Sequence, residues 1–530
     1  MSATHPMRTQ PVLSAGIRSF TYHGDEAPVL EGIDLNLVPG TFTAILGASG
    51  SGKSTLGRLL SGWLPPGTAG SLRGFLELAG TRLDFGGDAD PRINPAEWGR
   101  QVGFVPQDPA AVLSTVRATV AEELAFGLEN AALERQAMKA AVDHTAGLLG
   151  LSELLGRNPA ALSGGQLRRL AIGCAIITGP RVLIMDEPFA SLDSAGTAEL
   201  ARLLQDLVAA GTAVVVLSQV VDAPLLDAGA WVVLADGRVT GSGTPAAMGA
   251  GPGLPPPAIR HAGIRYSGGR TAPAQVHKTA VQTESLPPRN DAGVPALELR
   301  GVSFDYSAGG KEAQLRNMRR RDLGGKAAGS SLVLQGINLR IQSGEVVAVI
   351  GPNGAGKSTL LRHFNGLLRP TAGRVLVHGR DIAGVPPGEA AGSVGLLFQQ
   401  PRDQLFERTA LREVRFGLDR LFHPGEAASR ALEALSAVGL AGAAHTHPAE
   451  LPASGQRLLA LATVLARKPS VLALDEPTVA LDGGGLALLD AAVRTAAGEG
   501  AAVVLVTHDL GYARAAAHRV VALDGGRLEG

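Results

Sequence analysis

Short apolar runs punctuate this 530-residue chain at intervals, and stretches of Ala/Leu-rich helical pattern separate them. Four runs recur as two related pairs. Val182–Pro188 (VLIMDEP) resembles Val471–Pro477 (VLALDEP), and Ala213–Gln219 (AVVVLSQ) resembles Ala502–His508 (AVVLVTH). Runs without polar alternation, spaced by helices, predict strands buried on both faces, and hence a largely parallel sheet covered by helices. A fifth run, Val346–Ile350, leads into Gly351–Thr359 (GPNGAGKST), and LLRHFNGLL beyond it has a helical pattern. Gly47–Thr55 (GASGSGKST) repeats that nine-residue motif.

The motif fits G-x-x-x-x-G-K-[ST] between a strand and a helix. Its glycines let backbone N–H groups turn inward around phosphate oxygens, and the helix N-terminus adds partial positive charge. Gly47, Ser49, Gly50 and Gly52 in one loop, and Gly351, Asn353, Gly354 and Gly356 in the other, are the expected cradle. Lys53 and Lys357 are expected on the β- and γ-phosphates, Ser54 and Ser358 on Mg²⁺, with Thr55 and Thr359 completing the loops. The lysines lie 304 positions apart, and three later landmarks (Gln107/Gln399, Gln166/Gln456, Glu187/Glu476) lie 292, 290 and 289 apart. The chain therefore reads as a tandem duplication. We expect domains at 1–240 and 296–530, joined by a Gly/Pro-rich linker at 241–295. A basic, Gly-flanked insertion at 309–330 accounts for the longer start of the second copy and reads as a solvated loop. Ala131–Gly150 reads as a helix of a helical subdomain.

Each late strand ends in Asp-Glu. Asp186 and Asp475 are placed to hold Mg²⁺ beside the phosphates, and Glu187 and Glu476 to polarise the attacking water. Composition narrows the field. Lys+Arg and Asp+Glu both number 48, so no net charge argues for a nucleic acid or an anionic membrane surface. The single cysteine, Cys174, excludes an internal disulfide and a cysteine-rich zinc site. No apolar run approaches the ~18–20 residues of a membrane span. The first residues, MSATHPMRTQPVL, lack an apolar signal core, so a cytoplasmic chain is expected.

Leu162-Ser163-Gly164-Gly165-Gln166 precedes a helical LRRLAIGCAI. With this stretch the chain resembles ATP-binding-cassette (ABC) ATPases, whose signature is LSGGQ, over both halves. The resemblance implies an α/β fold of two P-loop NTPase domains. Each would be a RecA-like, mostly parallel sheet with helices on both faces plus a helical subdomain. It implies ATP as substrate, Mg²⁺ as cofactor, and nucleotide clamped between one copy's phosphate loop and the other copy's Ser163–Gln166 corner. It also implies that Tyr22 and Tyr306 stack on adenine, and that Gln107 and Gln399 link Mg²⁺ to a transmembrane partner. Leu192-Asp193 and Leu481-Asp482 would cross the interface, and His508 would be the switch histidine. Two positions depart from the pattern. Gln219 stands where the second copy has His508, and the second signature reads Pro452-Ala453-Ser454-Gly455-Gln456, which, with Gln456 set against Gln166, puts Ala453 at the serine position.

Thr119–Asn130 (TVAEELAFGLEN) and Phe398–Phe406 (FQQPRDQLF) resemble energy-coupling-factor ATPases, with Arg402 departing where an acidic residue is common. That resemblance implies uptake of a vitamin or of cobalt or nickel, peripheral attachment to the inner face of the cell membrane, and two membrane subunits as partners. One of these would couple and the other would bind cargo. A fused sugar-importer ATPase and a soluble cassette protein acting on ribosomes are the alternatives; the Gly/Pro-rich linker and zero net charge count against the second.

Overall fold

The structure is a computed structural model that describes residues 10–87, 89–129, 133–190, 192–250, 257–266, 293–306 and 332–529. The basic insertion at 309–330 and most of the expected linker lie outside the described residues. The chain divides into two units, Met1–Pro273 and Ala274–Gly530.

Each unit is built on a six-stranded sheet with the same strand order. In the first unit that order is Arg238–Gly243, Ala230–Ala235, Phe42–Gly47, Ala213–Ser218, Val182–Asp186, Val102–Val105. In the second it is Arg527–Glu529, Arg519–Asp524, Val346–Ile350, Ala502–Val506, Val471–Asp475, Val394–Leu397. All neighbours pair in parallel except the final hairpin strand of each sheet. The apolar runs expected to be strands are therefore strands.

Side chains leave a strand alternately to its two faces, and a doubly covered sheet must bury both. Val182 and Ile184 pack into one apolar cluster while Leu183 and Met185 pack into another. Val471 and Ala473 divide from Leu472 and Leu474 in the same way. Each such buried Val or Leu contributes roughly 1.5–3 kcal/mol, so an Asp at Leu183 or Leu472 would unfold its unit. A four-stranded antiparallel sheet, led by Leu13–Tyr22 in one unit and Leu297–Phe304 in the other, covers part of one face.

The helical subdomain contains Val120–Glu129 and Arg135–Leu148 in the first unit, the latter inside the stretch expected to be helical. Its counterparts are Ala410–Arg415 and Pro424–Ala437. The helix after the second phosphate loop, Lys357–Phe364, stops at Asn365, so the GLL of LLRHFNGLL lies beyond it.

Two expectations change. The stretch 241–295 is not linker throughout, because its described residues 257–266 pack into the first unit. A helix at Pro257–His261 and a strand at Arg265–Tyr266 follow the hairpin strand Arg238–Gly243, and Ile259 and Ile264 are buried in the core. The second change is the register of the signatures. The two signature helices are both 13 residues long, Gly164–Ile176 capped by Ser163 and Ala453–Leu465 capped by Pro452. Pro452 therefore occupies the place of Ser163, not Ala453, and Gln456 sits one position beyond the place of Gln166. Matching the two glutamines by identity misplaced the second copy by one residue.

Candidate nucleotide site

The phosphate loop forms because the chain must turn sharply between a buried strand end and a helix start. Gly52 and Gly356 cap the helices at φ 93° and 98°. A Cβ there would lie 2.6 Å from Leu30 Cδ2 in one unit and 3.0 Å from the Val333 carbonyl in the other. Left-handed backbone and close approach together admit only glycine. Gly50 and Gly354 also have positive φ, 79° and 82°.

Both lysines are folded into their own loops. Lys53 Nζ donates to the carbonyls of Gly47 (2.6 Å) and Ala48 (2.8 Å), and Lys357 Nζ to those of Gly351 (2.7 Å) and Pro352 (2.9 Å). Each ammonium is thus held, buried, against the carbonyls of its own glycine-rich loop at a helix start, a cationic arrangement suited to phosphate. Ser49 is half-buried and Asn353 exposed on the loops. Tyr22 and Tyr306 are tied to the same loops by hydroxyl contacts to Thr55 Oγ1 (3.0 Å) and Thr359 Oγ1 (3.1 Å). Phe20 and Phe304 pack edge-on against these tyrosine rings.

The strand-end carboxylates stand beside the loops. Ser54 hydrogen-bonds Asp186, and Ser358 hydrogen-bonds Asp475. Burial raises the pKa of both aspartates, that of Asp475 to about 6. Asp475 Oδ1 is buried without a hydrogen-bond partner among the described residues. Glu187 and Glu476 both sit at positive φ, 51° and 49°, with their N–H groups held by Leu217 O (2.9 Å) and Val506 O (2.8 Å). Such a conformation costs a side-chain-bearing residue about 1–3 kcal/mol and marks a turn whose shape is set by its surroundings.

Beyond this point the two units differ. Glu476 Oε2 meets His508 Nδ1 at 2.8 Å and the His508 amide at 3.3 Å. Glu187 instead accepts the Gln219 backbone amide (2.8 Å) and the Ser218 hydroxyl (3.2 Å). Burial raises the Glu187 pKa to about 7, against the opposing pull of Lys53.

The signature corners differ too. Ser163 Oγ accepts the Gln166 amide (3.4 Å) and Gln166 Oε1 accepts the Ser163 amide (3.0 Å), closing a capping box around Gly164 and Gly165. Pro452 offers no side-chain cap. Gln107 and Gln399 follow their strands by two residues, half-buried and exposed respectively. Asp193 and Asp482 each cap the helix that follows, accepting from Gly196 and Gly485 at 2.8 Å.

Sequence reasoning missed four groups. Arg168 donates to the carbonyls of Glu187 (2.8 Å) and Pro188 (2.7 Å), holding the turn that carries the glutamate. Arg457, at the equivalent helix position, donates to Phe398 O (3.3 Å) instead. Both guanidinium pKa values are lowered by burial. Glu123 is the third group, accepting the Ser114 amide (2.6 Å) and hydroxyl (2.8 Å); Glu413 accepts the Phe406 (2.7 Å) and Glu407 (2.6 Å) amides in the same way. These glutamates staple the loop after each glutamine segment. An acidic residue on the apolar face of its own helix was the available signal.

A family model described as ABC transporter matches residues 30–190 and 334–479. An inferred ABC transporter ATP-binding protein of Streptomyces coelicolor is 36% identical over 96% of this chain and 92% of its own length. One of Streptomyces avermitilis is 35% identical over the same shares. A solved structure described as cbiO1 from Clostridium perfringens, part of the ABC transporter complex cbiONQ, is 29% identical. It covers 44% of this chain and 87% of its own, with a TM-score of 0.38.

Proposed function

Since this chain belongs to the ABC transporter family as an ATP-binding protein with two cassettes, we propose that it hydrolyses ATP chiefly at one of two unequal sites to energise a membrane importer. The observation that carries the asymmetry is the partner of the strand-end glutamate: the His508 imidazole for Glu476, a backbone amide for Glu187. In a head-to-tail pairing of the cassettes, the Lys357 loop works with Glu476, His508 and the serine-capped Ser163–Gln166 corner. The Lys53 loop is left with Gln219 and the uncapped Pro452 corner. Both departures then fall on one site. Glu476 orients and polarises the attacking water while His508 holds its carboxylate and reaches toward the γ-phosphate. Ser358 and Asp475 would hold Mg²⁺, and Ser54 with Asp186 would do so in the first cassette. Gln399 and Gln107 are the further proposed contacts. The unpartnered, buried Asp475 Oδ1 fits a cation, which supplies charge neutralisation on the phosphates when bound. Tyr22 and Tyr306 supply aromatic faces for adenine.

An exposed apolar patch supports a membrane partner. Among the described residues no helix is long and apolar enough to cross a membrane. The loops stapled by Glu123 and Glu413 leave apolar side chains uncovered. Phe406 and Phe416 stack edge-to-face at 4.7 Å and are 63% and 51% exposed, and Val116 and Phe126 occupy the equivalent places. Coupling and cargo-binding subunits of an energy-coupling-factor importer, for a vitamin or for cobalt or nickel, fit the motifs around these residues. Attachment is then peripheral, on the cytoplasmic side.

Steady-state ATPase measurements test the asymmetry. Glu476→Gln is expected to reduce turnover about 100-fold or more, while Glu187→Gln leaves it within about twofold; equal losses reject the reading. Co-purification with integral membrane subunits is expected from detergent extracts, and co-sedimentation with ribosomes in their place rejects the transport assignment.

A further inference from the structure

The first cassette carries an element that the site described above does not use. After the hairpin strand Arg238–Gly243, the helix Pro257–His261 ends in a Schellman turn. Gly263, at φ 64°, donates to Arg260 O (3.1 Å) and Ile264 donates to Ile259 O (3.0 Å). The paired positions Ile259 and Ile264, 0% and 5% exposed, anchor the turn in the core. The chain then runs as a short strand, Arg265–Tyr266, parallel to Val220–Val221, the two residues that follow Gln219. Arg265 N–H donates to Gln219 O at 3.1 Å, and the Gln219 N–H is the one that donates to Glu187. The same turn reaches the phosphate loop, since a Cβ on Gly263 would lie 3.8 Å from Ala48 Cβ. The switch segment of the first cassette is thus held at both backbone groups of one residue, Gln219. In the second cassette the equivalent residues enter a helix directly, with Asp509 capping Leu510–Ala516.

We propose that Pro257–Tyr266 is a strap whose positioning residues, Ile259, Ile264 and Arg265, fix the first cassette's switch segment, so that this site retains its nucleotide while the other turns over. This deepens the asymmetry proposed above and rests on it. A switch residue that must move with the γ-phosphate cannot do so while its carbonyl is a rung of a sheet. The strap therefore converts a site that lacks a histidine into a static nucleotide clamp.

The test uses the full chain carrying Lys357→Ala, so that a fluorescent ATP analogue with Mg²⁺ is read at the first cassette. Its dissociation is followed by chase with unlabelled ATP, alongside hydrogen exchange at the amides of Val220–Asp222. Ile259→Ala/Ile264→Ala loosens the anchor, and Arg265→Pro removes the amide donor without touching the core. Both are expected to speed exchange and to raise the dissociation rate about tenfold or more. Unchanged dissociation despite faster exchange, or unchanged exchange, overturns the proposal. If the double variant does not fold, Arg265→Pro alone decides. Neither reading depends on hydrolysis, so failure of the strap is distinguishable from failure of the turnover asymmetry.

Discussion

At the last turn before the phosphates, the two cassettes spend the same backbone on different chemistry. Both glutamates are forced to positive φ at the end of a fully buried strand, and both accept a hydrogen bond from the segment after the neighbouring strand. In the second cassette that segment brings an imidazole to 2.8 Å. In the first it brings a main-chain amide and a serine, and a strap pins its far side. The fold fixes where a carboxylate points, while one side chain decides whether it has a partner that can follow a proton or a phosphate. A duplicated scaffold can therefore keep the glutamate's turn and change the group that meets it.

The two cassettes differ most at the switch position. His508→Ala is expected to cut steady-state turnover about 100-fold, since an oriented acid–base partner contributes 10²–10⁴-fold, whereas Gln219→Ala should change it less than about twofold. Comparable losses in the same ATPase measurement would equalise the sites.

Burial places the Glu187 pKa at about 7, above the usual carboxylate value, so its carboxyl is neutral and unable to act as a base below that pH. In a Glu476→Gln background, residual turnover should rise about tenfold between pH 6 and pH 8, following the ionised fraction of Glu187. A flat profile would place the residual activity elsewhere.

The smallest effect concerns the signature helices. Ser163 caps its helix and Pro452 does not, so Pro452→Ser should stabilise the second unit by about 1 kcal/mol in urea unfolding, and Ser163→Pro should cost the first unit at least as much. If neither substitution moves the midpoint, the corner is held by other contacts.

The phosphate loops, the Asp-Glu strand ends and the parallel sheets were legible in the chain because each is local. A nine-residue loop must carry glycine where the backbone turns left-handed, and a strand buried on both faces must be apolar throughout. Pairing the signatures was not local. A proline and a repeated glutamine allowed two alignments, and only the shared cap position and helix length chose between them. Gly- and Pro-rich composition hid the strap for the same reason. Two isoleucines five positions apart make no periodic pattern, and they become a core anchor only when a Schellman turn brings them together against a sheet built from distant residues. Arg168 and Glu123 likewise read as ordinary helical residues until folding set them against the Glu187 turn and the Ser114 loop. By itself the sequence determined the glycine-rich loops and the Asp-Glu strand ends, since those depend on residue type and short spacing. Only the tertiary structure decided which carboxylate meets an imidazole and which segment is strapped down, because hydrogen bonds between residues far apart in sequence exist only once the sheet has assembled them.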